Sequence, residues 1–557
     1  MRRARHHARV VTSSRSSLFV AALSALLLPA AARAAAWEDA TMATIGVTAE
    51  WSNKVELADI DGDGRVDILF ANGAGYSAPE APEMNRAFLN QGPGKPFLDV
   101  SAAVFGATPD YTRAIKARDL DGDGHVDLLV ANTFESQSRL YLGDGKGGFA
   151  EATDGLPQGP ASFGDVELGD VDGDGDLDAI LADWGPGDAA SGAGRTRLWL
   201  GDGVGGFTDA TETNMPDVLV GWSWELELAD VDNDFDLDAL VSCKACDGSF
   251  LFENDGAGVF TDVSDRLPQF GNNYEFEPID LDADGFVDLV TINDGPQARE
   301  HVFLGDGKGG FVDATAELWP KTDNIAGDDN MVAFLDADSD GDPDFVIAGL
   351  FGNPDRLIRN DGHLVLAGGA FSPDDSSGSL GIAVADLDGD KKIDVVMSEG
   401  ESPENADRVF LGVDVPADTA APVVTVAVIG DQVYARIHDN KTPVMPHDFQ
   451  KVVFDEGGGL ETPMRWYGEA LWRLSPATSG QVCAVDAAGN QRCVAVDVPI
   501  PGETGETGGG MTSGATSDGT GGGPTTACPP PPRRRGARRR PRPGATAAPG
   551  SPAAGRG

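Results

Sequence analysis

The chain has 557 residues, 90 of them acidic against 41 lysines and arginines, and a formal net charge of −49. So acidic a body has no basic footprint for phosphate, which excludes nucleic acid as its partner. Beyond the N-terminus no stretch has about 18 consecutive apolar residues, so no transmembrane helix is expected in the mature chain.

The first element reads as an export signal. Arg2, Arg3, Arg5 and Arg9 precede the apolar run LFVAALSALLLPAAA, and ARAAAW supplies small residues for cleavage after Ala36. Residues 1–36 are therefore expected to be a signal peptide and the mature protein to be secreted or held at the cell surface. Export also permits oxidation of the five cysteines.

The next segment, VELADIDGDGRVDILFAN at residues 55–72, begins a repeat. Its D-x-D-x-D-G-x-x-D core holds Asp59, Asp61, Asp63 and Asp67. The core returns as Asp119, Asp121, Asp123, Asp127, then Asp170, Asp172, Asp174, Asp178, then Asp230, Asp232, Asp234, Asp238. Three more copies are Asp280, Asp282, Asp284, Asp288, then Asp336, Asp338, Asp340, Asp344, and finally Asp386, Asp388, Asp390, Asp394. Successive starts differ by 60, 51, 60, 50, 56 and 50 residues. A helix-flanked EF-hand needs a glutamate at position twelve, and these copies carry Phe70, Val130, Leu181, Val241, Thr291, Ile347 and Met397 there. Alternating pieces such as VELAD precede each loop and apolar runs such as VDILFAN follow it, so each loop joins two strands. Segments such as RLYLGDGKGGFAEAT add a second hairpin, giving four strands in about fifty residues, the size of one propeller blade. The seventh repeat ends at RVFLGVDV without its last strand, and WEDAT at Trp37–Thr41 matches that missing strand. The prediction is an all-β chain whose seven-bladed β-propeller, residues 37–415, is closed by the N-terminal strand.

Eight residues before the first loop aspartate stand Trp51, Tyr111 and Trp222. Two readings stay open for them: rings around the channel mouth that stack on a sugar or partner, or rings that fill gaps between blades. Trp184, Trp224 and Tyr274 lie nearby in sequence. No G-x-S-x-G elbow and no H-E-x-x-H helix occurs, the histidines are scattered, and catalytic residues are not expected.

Cys243 and Cys246 read as a local disulfide, and Cys483 and Cys493 as a cross-strand disulfide about a Gly-Asn turn. They fall on either side of a boundary near residue 416. Alternating strands from KVVFDEG to RCVAVDV predict a β-sandwich over 416–500, within which the loop HDNKTPVMPHD has no assignable role. From residue 501 a Gly/Thr-rich linker leads to Cys528 and a Pro/Arg-rich end, so 501–557 is expected to be a low-complexity, disordered tail.

The seven aspartate loops resemble the FG-GAP/VCBS repeats of integrin α-subunit propellers and of secreted acidic proteins built the same way. The segment DTAAPV resembles the linker that opens bacterial immunoglobulin-like repeats, modules that act as spacers or in adhesion. The tail resembles bacterial surface-sorting tails but lacks their apolar helix, so the protein is either released or misread at its gene end. The FG-GAP resemblance implies calcium in the first hairpin loop of each blade, up to seven ions in all. Four aspartate side chains per loop would serve as ligands, with the position-seven carbonyls of Arg65, His125, Asp176, Asp236, Phe286, Asp342 and Lys392. The sixth position needs a left-handed backbone, and Phe235 and Lys391 replace its glycine, so sites four and seven are expected to be weaker or empty. The functional expectation is an extracellular recognition or adhesion module, a monomer with a carbohydrate or surface-protein ligand. The alternatives are a polysaccharide lyase on the same scaffold and a structural surface component.

Overall fold

The computed structural model describes residues 36–498 apart from 187–191, 294, 296, 351–352, 367–370, 372–377 and 401–405. The signal-peptide reading of residues 1–35, the tail at 501–557 and Cys528 lie outside the described residues.

Every aspartate loop is the turn of an antiparallel hairpin. Its ninth position opens the second strand and pairs with the residue just before the first aspartate. Ala58 faces Asp67, Arg118 faces Asp127 and Gly169 faces Asp178. Ala229, Ile279, Leu335 and Ala385 face Asp238, Asp288, Asp344 and Asp394 in the same way. The shared register follows from the shared loop, because loop length and conformation fix hairpin pairing. The second strands, such as Asp67–Asn72 and Asp127–Asn132, are buried on both faces, which explains their continuous apolar composition.

Two outer strands complete each unit, and seven four-stranded antiparallel sheets result. Their first strands are Ser52–Ala58, Thr112–Arg118, Phe163–Gly169, Leu226–Ala229, Asn273–Ile279, Asp329–Leu335 and Ser379–Ala385. Each packs beside the next, and the last returns to the first. Six of them carry a register shift at their second residue, as between Ser52 and Lys54 or Thr112 and Ala114. Such a bulge re-aims one side chain. It sets Arg113 and Tyr274 among the rings at one end of the molecule.

The displaced strand is where the repeat pattern requires it. Trp37–Asp39 pairs with Arg408–Gly412, Trp37 opposite Gly412 and Asp39 opposite Phe410. Trp37 is 2% exposed, packs against Phe371 and donates its indole N–H to the Ile393 carbonyl at 2.8 Å.

Beyond residue 416, two further four-stranded sheets hold one core between them. Val433, Ala435 and Ile437 from one sheet meet Phe454, Val482 and Ala484 from the other, with Trp472 packed on Phe449. Cys483 and Cys493 are cross-strand partners and form a disulfide, Cα–Cα 4.1 Å. Cys243 and Cys246 are also bridged, Cα–Cα 5.5 Å. Cys243 is fully buried.

Candidate functional site

The loops are built by their own carboxylates. In loop one the amides of Asp63 and Gly64 donate to the two oxygens of Asp59 at 3.0 and 2.8 Å. The Arg65 amide donates to Asp63 Oδ1 at 3.1 Å. The equivalent seventh-position bond recurs at His125, Asp176, Asp236, Phe286, Asp342 and Lys392, 2.9–3.0 Å. Position six is left-handed in all seven loops, including Phe235 at φ 71° and Lys391 at φ 69°. Position four is left-handed as well, from Gly62 to Ala283 and Ser339, a requirement that glycine at only four of the seven copies concealed.

The ninth aspartate does more than the motif suggests. Asp67 Oδ2 accepts the Ile60 amide at 3.0 Å, and Oδ1 accepts the Asn90 amide of the third strand at 2.7 Å. Asp127, Asp178, Asp238, Asp288, Asp344 and Asp394 repeat both bonds. It is therefore a clamp joining three strands as well as a candidate ligand. Each is at most 1% exposed.

One oxygen each from Asp59, Asp61 and Asp67 lies within 4.8 Å of the others, as do those of Asp119, Asp121, Asp127 and of Asp170, Asp172, Asp178. Burial pushes the Asp67, Asp288, Asp344 and Asp394 carboxyls up to about 7 and that of Asp178 up to about 8, against the opposing pull of their amide bonds. A donor set of oxygen alone, carrying this much unrelieved charge, fits a hard divalent cation. The sign of the pH response follows. With chelator present, the folded chain binds these protons more tightly than the unfolded chain, whose aspartates titrate near 4. Stability is then expected to be greatest at low pH and to fall as pH rises through 7 to 8. Calcium should flatten that fall. Thermal melts between pH 5 and 8, with and without chelator, measure it, and parallel curves would count against the assignment.

The two departures at position six are docking points. Phe235 is 2% exposed and packs on Tyr434 of the C-terminal module, ring centroids 5.6 Å apart. Its carbonyl accepts the Tyr467 hydroxyl at 2.8 Å. Arg436 pairs with Asp230 and donates to Asn233 Oδ1 at 2.7 Å. Arg473 pairs with Asp170 in loop three. Lys391 Nζ donates to the Ala488 carbonyl at 2.6 Å. The C-terminal sandwich thus sits on the loop face of the propeller.

The segment HDNKTPVMPHD enters the channel mouth there. The Asn440 carbonyl accepts the Asp336 amide at 2.8 Å, the Thr442 hydroxyl donates to Glu277, and Met445 sulfur accepts from Arg118 at 2.8 Å. At the other end Trp184, Trp222, Trp224 and Tyr274 form one cluster, with Trp184 stacked on Trp224 at 5.6 Å. Arg113 lies over Trp184 and Lys244 over Trp222 and Tyr274. Of the two readings of the rings before the loops, Trp51 and Trp222 take the gap-filling one. Trp51 and Trp222 are each 7% exposed, and Trp51 donates to Asn53 Oδ1 at 3.1 Å, so both fill the interior. Tyr111 is half-buried against Phe134.

Between the two plugs lies an acidic channel that the motif analysis missed. Glu56, Glu167, Glu227 and Glu277 all stand three residues before a first loop aspartate, and Asp165, Glu225 and Glu275 stand five before. Charge at inward positions of a strand was the available signal.

Comparison with known proteins agrees with the loops. The model of the FG-GAP-like repeat matches residues 59–130, 119–181, 280–347 and 336–397. The matched residues fall on the aspartate hairpins, so the chain carries FG-GAP-like repeats within an all-β fold of four-stranded sheets. No curated protein sequence matches it. Among solved structures it is similar to an Agrocybe aegerita lectin that recognises non-reducing terminal N-acetylglucosamine, at 18% identity over 59% of this chain and 81% of the lectin, TM-score 0.38. It is also similar to the rhamnogalacturonan lyase YesW, at 13% identity over 69% of this chain and 76% of the lyase, TM-score 0.37. A third is the V. cholerae biofilm matrix protein Bap1, at 16% identity over 80% of this chain and 73% of that protein, TM-score 0.32.

Proposed function

We propose that this is an exported, calcium-binding propeller that serves as an extracellular recognition or adhesion module, with a carbohydrate or a surface protein as ligand. The observation that carries the reading is the seven-fold loop, a turn crowded with carboxylates and repeated in one conformation and register. The two disulfides suit an oxidising compartment. Calcium would be held by the aspartates at positions one, three, five and nine and by the position-seven carbonyl, and would brace each hairpin. In loops three and four Arg473 and Arg436 already neutralise the first aspartate, so these bind more weakly than loops one and two. The recognition face lies at the aromatic end, where Tyr76, Tyr111 and Phe134 are half-buried. Phe134 and Glu135 hold left-handed backbone there, strain of the kind that gathers at binding sites.

The test is a polysaccharide panel with the full chain in calcium, scored for retention and for unsaturated, ultraviolet-absorbing products. Retention without products is expected, weakened about tenfold or more by Tyr111→Ala if the ring is a contact. Release of products would replace the recognition reading with a lyase.

A further inference from the structure

The propeller channel is closed at both ends and its interior is short of positive charge. Lys54 pairs with Asp165 and Glu225, Lys116 with Glu167, Arg118 with Glu56, and Lys441 with Asp448 of its own module. Those cations are thereby committed. Among the described residues no lysine or arginine pairs with Glu227, Glu275 or Glu277. One carboxylate oxygen of each of these three lies within 4.8 Å of the other two. Glu469, reaching in from the C-terminal module, makes a neighbouring group with Glu167 and Glu227.

Glu275 supplies the independent observation. It is fully buried, its Oε2 accepts the Val332 amide at 2.7 Å, and its Oε1 has no partner. A buried carboxylate oxygen left unpaired costs free energy that a strand interior has no other reason to bear. A cavity of about 60 Å³ is lined by Glu167, Glu225, Glu227 and Glu277, together with the paired Lys54, Lys116 and Lys441. That exceeds the roughly 10–15 Å³ that one water-sized group occupies.

We propose that Glu227, Glu275 and Glu277 bind a hard divalent cation, calcium in a calcium-replete medium, at the centre of the channel. The site is distinct from the loops: its ligands come from two inner strands and face the axis. All its donors are carboxylate oxygens, and the remaining positions are open to water within the cavity. Burial and mutual repulsion push all three carboxyls upward, Glu277 to about 8. Because plugs cover both ends, an ion here exchanges slowly, unlike one in an exposed loop.

Two measurements test this. Calcium content of the full chain, by elemental analysis after desalting, should fall by one equivalent in Glu275→Gln/Glu277→Gln, and Asp59→Asn should lose a different equivalent. Unchanged stoichiometry in the glutamate variant overturns the proposal. Should that variant fail to fold, wild-type crystals grown in calcium decide by anomalous diffraction. A peak about 2.3–2.6 Å from the three carboxylates is expected. Peaks at the loops and none in the channel overturn it. A channel peak with empty loops would sink the loop assignment and leave this one standing.

Discussion

Chelation of calcium is expected to lower the melting temperature of the full chain by more than about 10 °C. A cation held at 100 times its dissociation constant stabilises the folded state by about 2.7 kcal/mol per site. An unfolding entropy of about 2.1 cal/mol/K per residue gives about 0.8 kcal/mol/K for a propeller of this size, so one kcal/mol shifts its midpoint by about 1 °C. Loops one, two, five, six and seven have no arginine from the sandwich on their first aspartate, so these five together should exceed 10 °C at saturating calcium. Calorimetry with and without chelator reads the shift directly, and a midpoint that does not move would remove calcium from the structure of the propeller. The effect should not be uniform, since loops three and four begin with Asp170 and Asp230 already paired to Arg473 and Arg436.

Asp178→Ala is expected to destabilise by about 2–6 kcal/mol, and to do so even in chelator. Asp178 is 1% exposed, with Oδ2 on the Val171 amide at 3.0 Å and Oδ1 on the Gly201 amide at 2.8 Å. Truncation leaves two buried N–H donors without acceptors, each costing about 1–3 kcal/mol. Asp174 is exposed, and its carboxylate accepts only the neighbouring Asp176 amide at 2.9 Å. Asp174→Ala should therefore matter chiefly when calcium is present. Denaturant unfolding of both variants in chelator separates the clamp from the ligand. Equal losses for the two would show that the ninth aspartate has no role of its own.

What could be read before any coordinates was whatever is local and repeated. Loop spacing specified the hairpin register, and the missing last strand of the seventh repeat located Trp37–Asp39 against Arg408–Gly412. Features that depend on two distant segments meeting were not legible. Phe235 and Lys391 looked like faults in their turns because the surfaces they engage, Tyr434 and Ala488, lie about two hundred and about one hundred residues away. HDNKTPVMPHD gave no sign of its role for the same reason. Trp51 and Trp222 share a sequence position with Tyr111, yet burial separates them, since alignment fixes which end of a strand a ring occupies and not what covers it. The channel glutamates were visible as letters in VELAD and LELAD, but an alternating strand does not reveal which face turns toward an axis.

The closing strand also sets an order of assembly. Six sheets are built from consecutive segments and can form by local hairpins as the chain emerges. The seventh needs residues 37–39 and 408–412, separated by about 370 positions. Loop-closure entropy rises only with the logarithm of length, so this contact costs about 2 kcal/mol more than closing a fifty-residue unit. The thermodynamic burden is small; the kinetic one is larger. Until Gly412 has been synthesised, Trp37 has no strand to join, and until Trp37 arrives, Arg408–Gly412 is a bare edge open to the strands of other chains. A chain cut short between residues 367 and 408 would keep six of its seven propeller sheets and lose its ring, leaving an aggregation-prone arc in place of a smaller propeller.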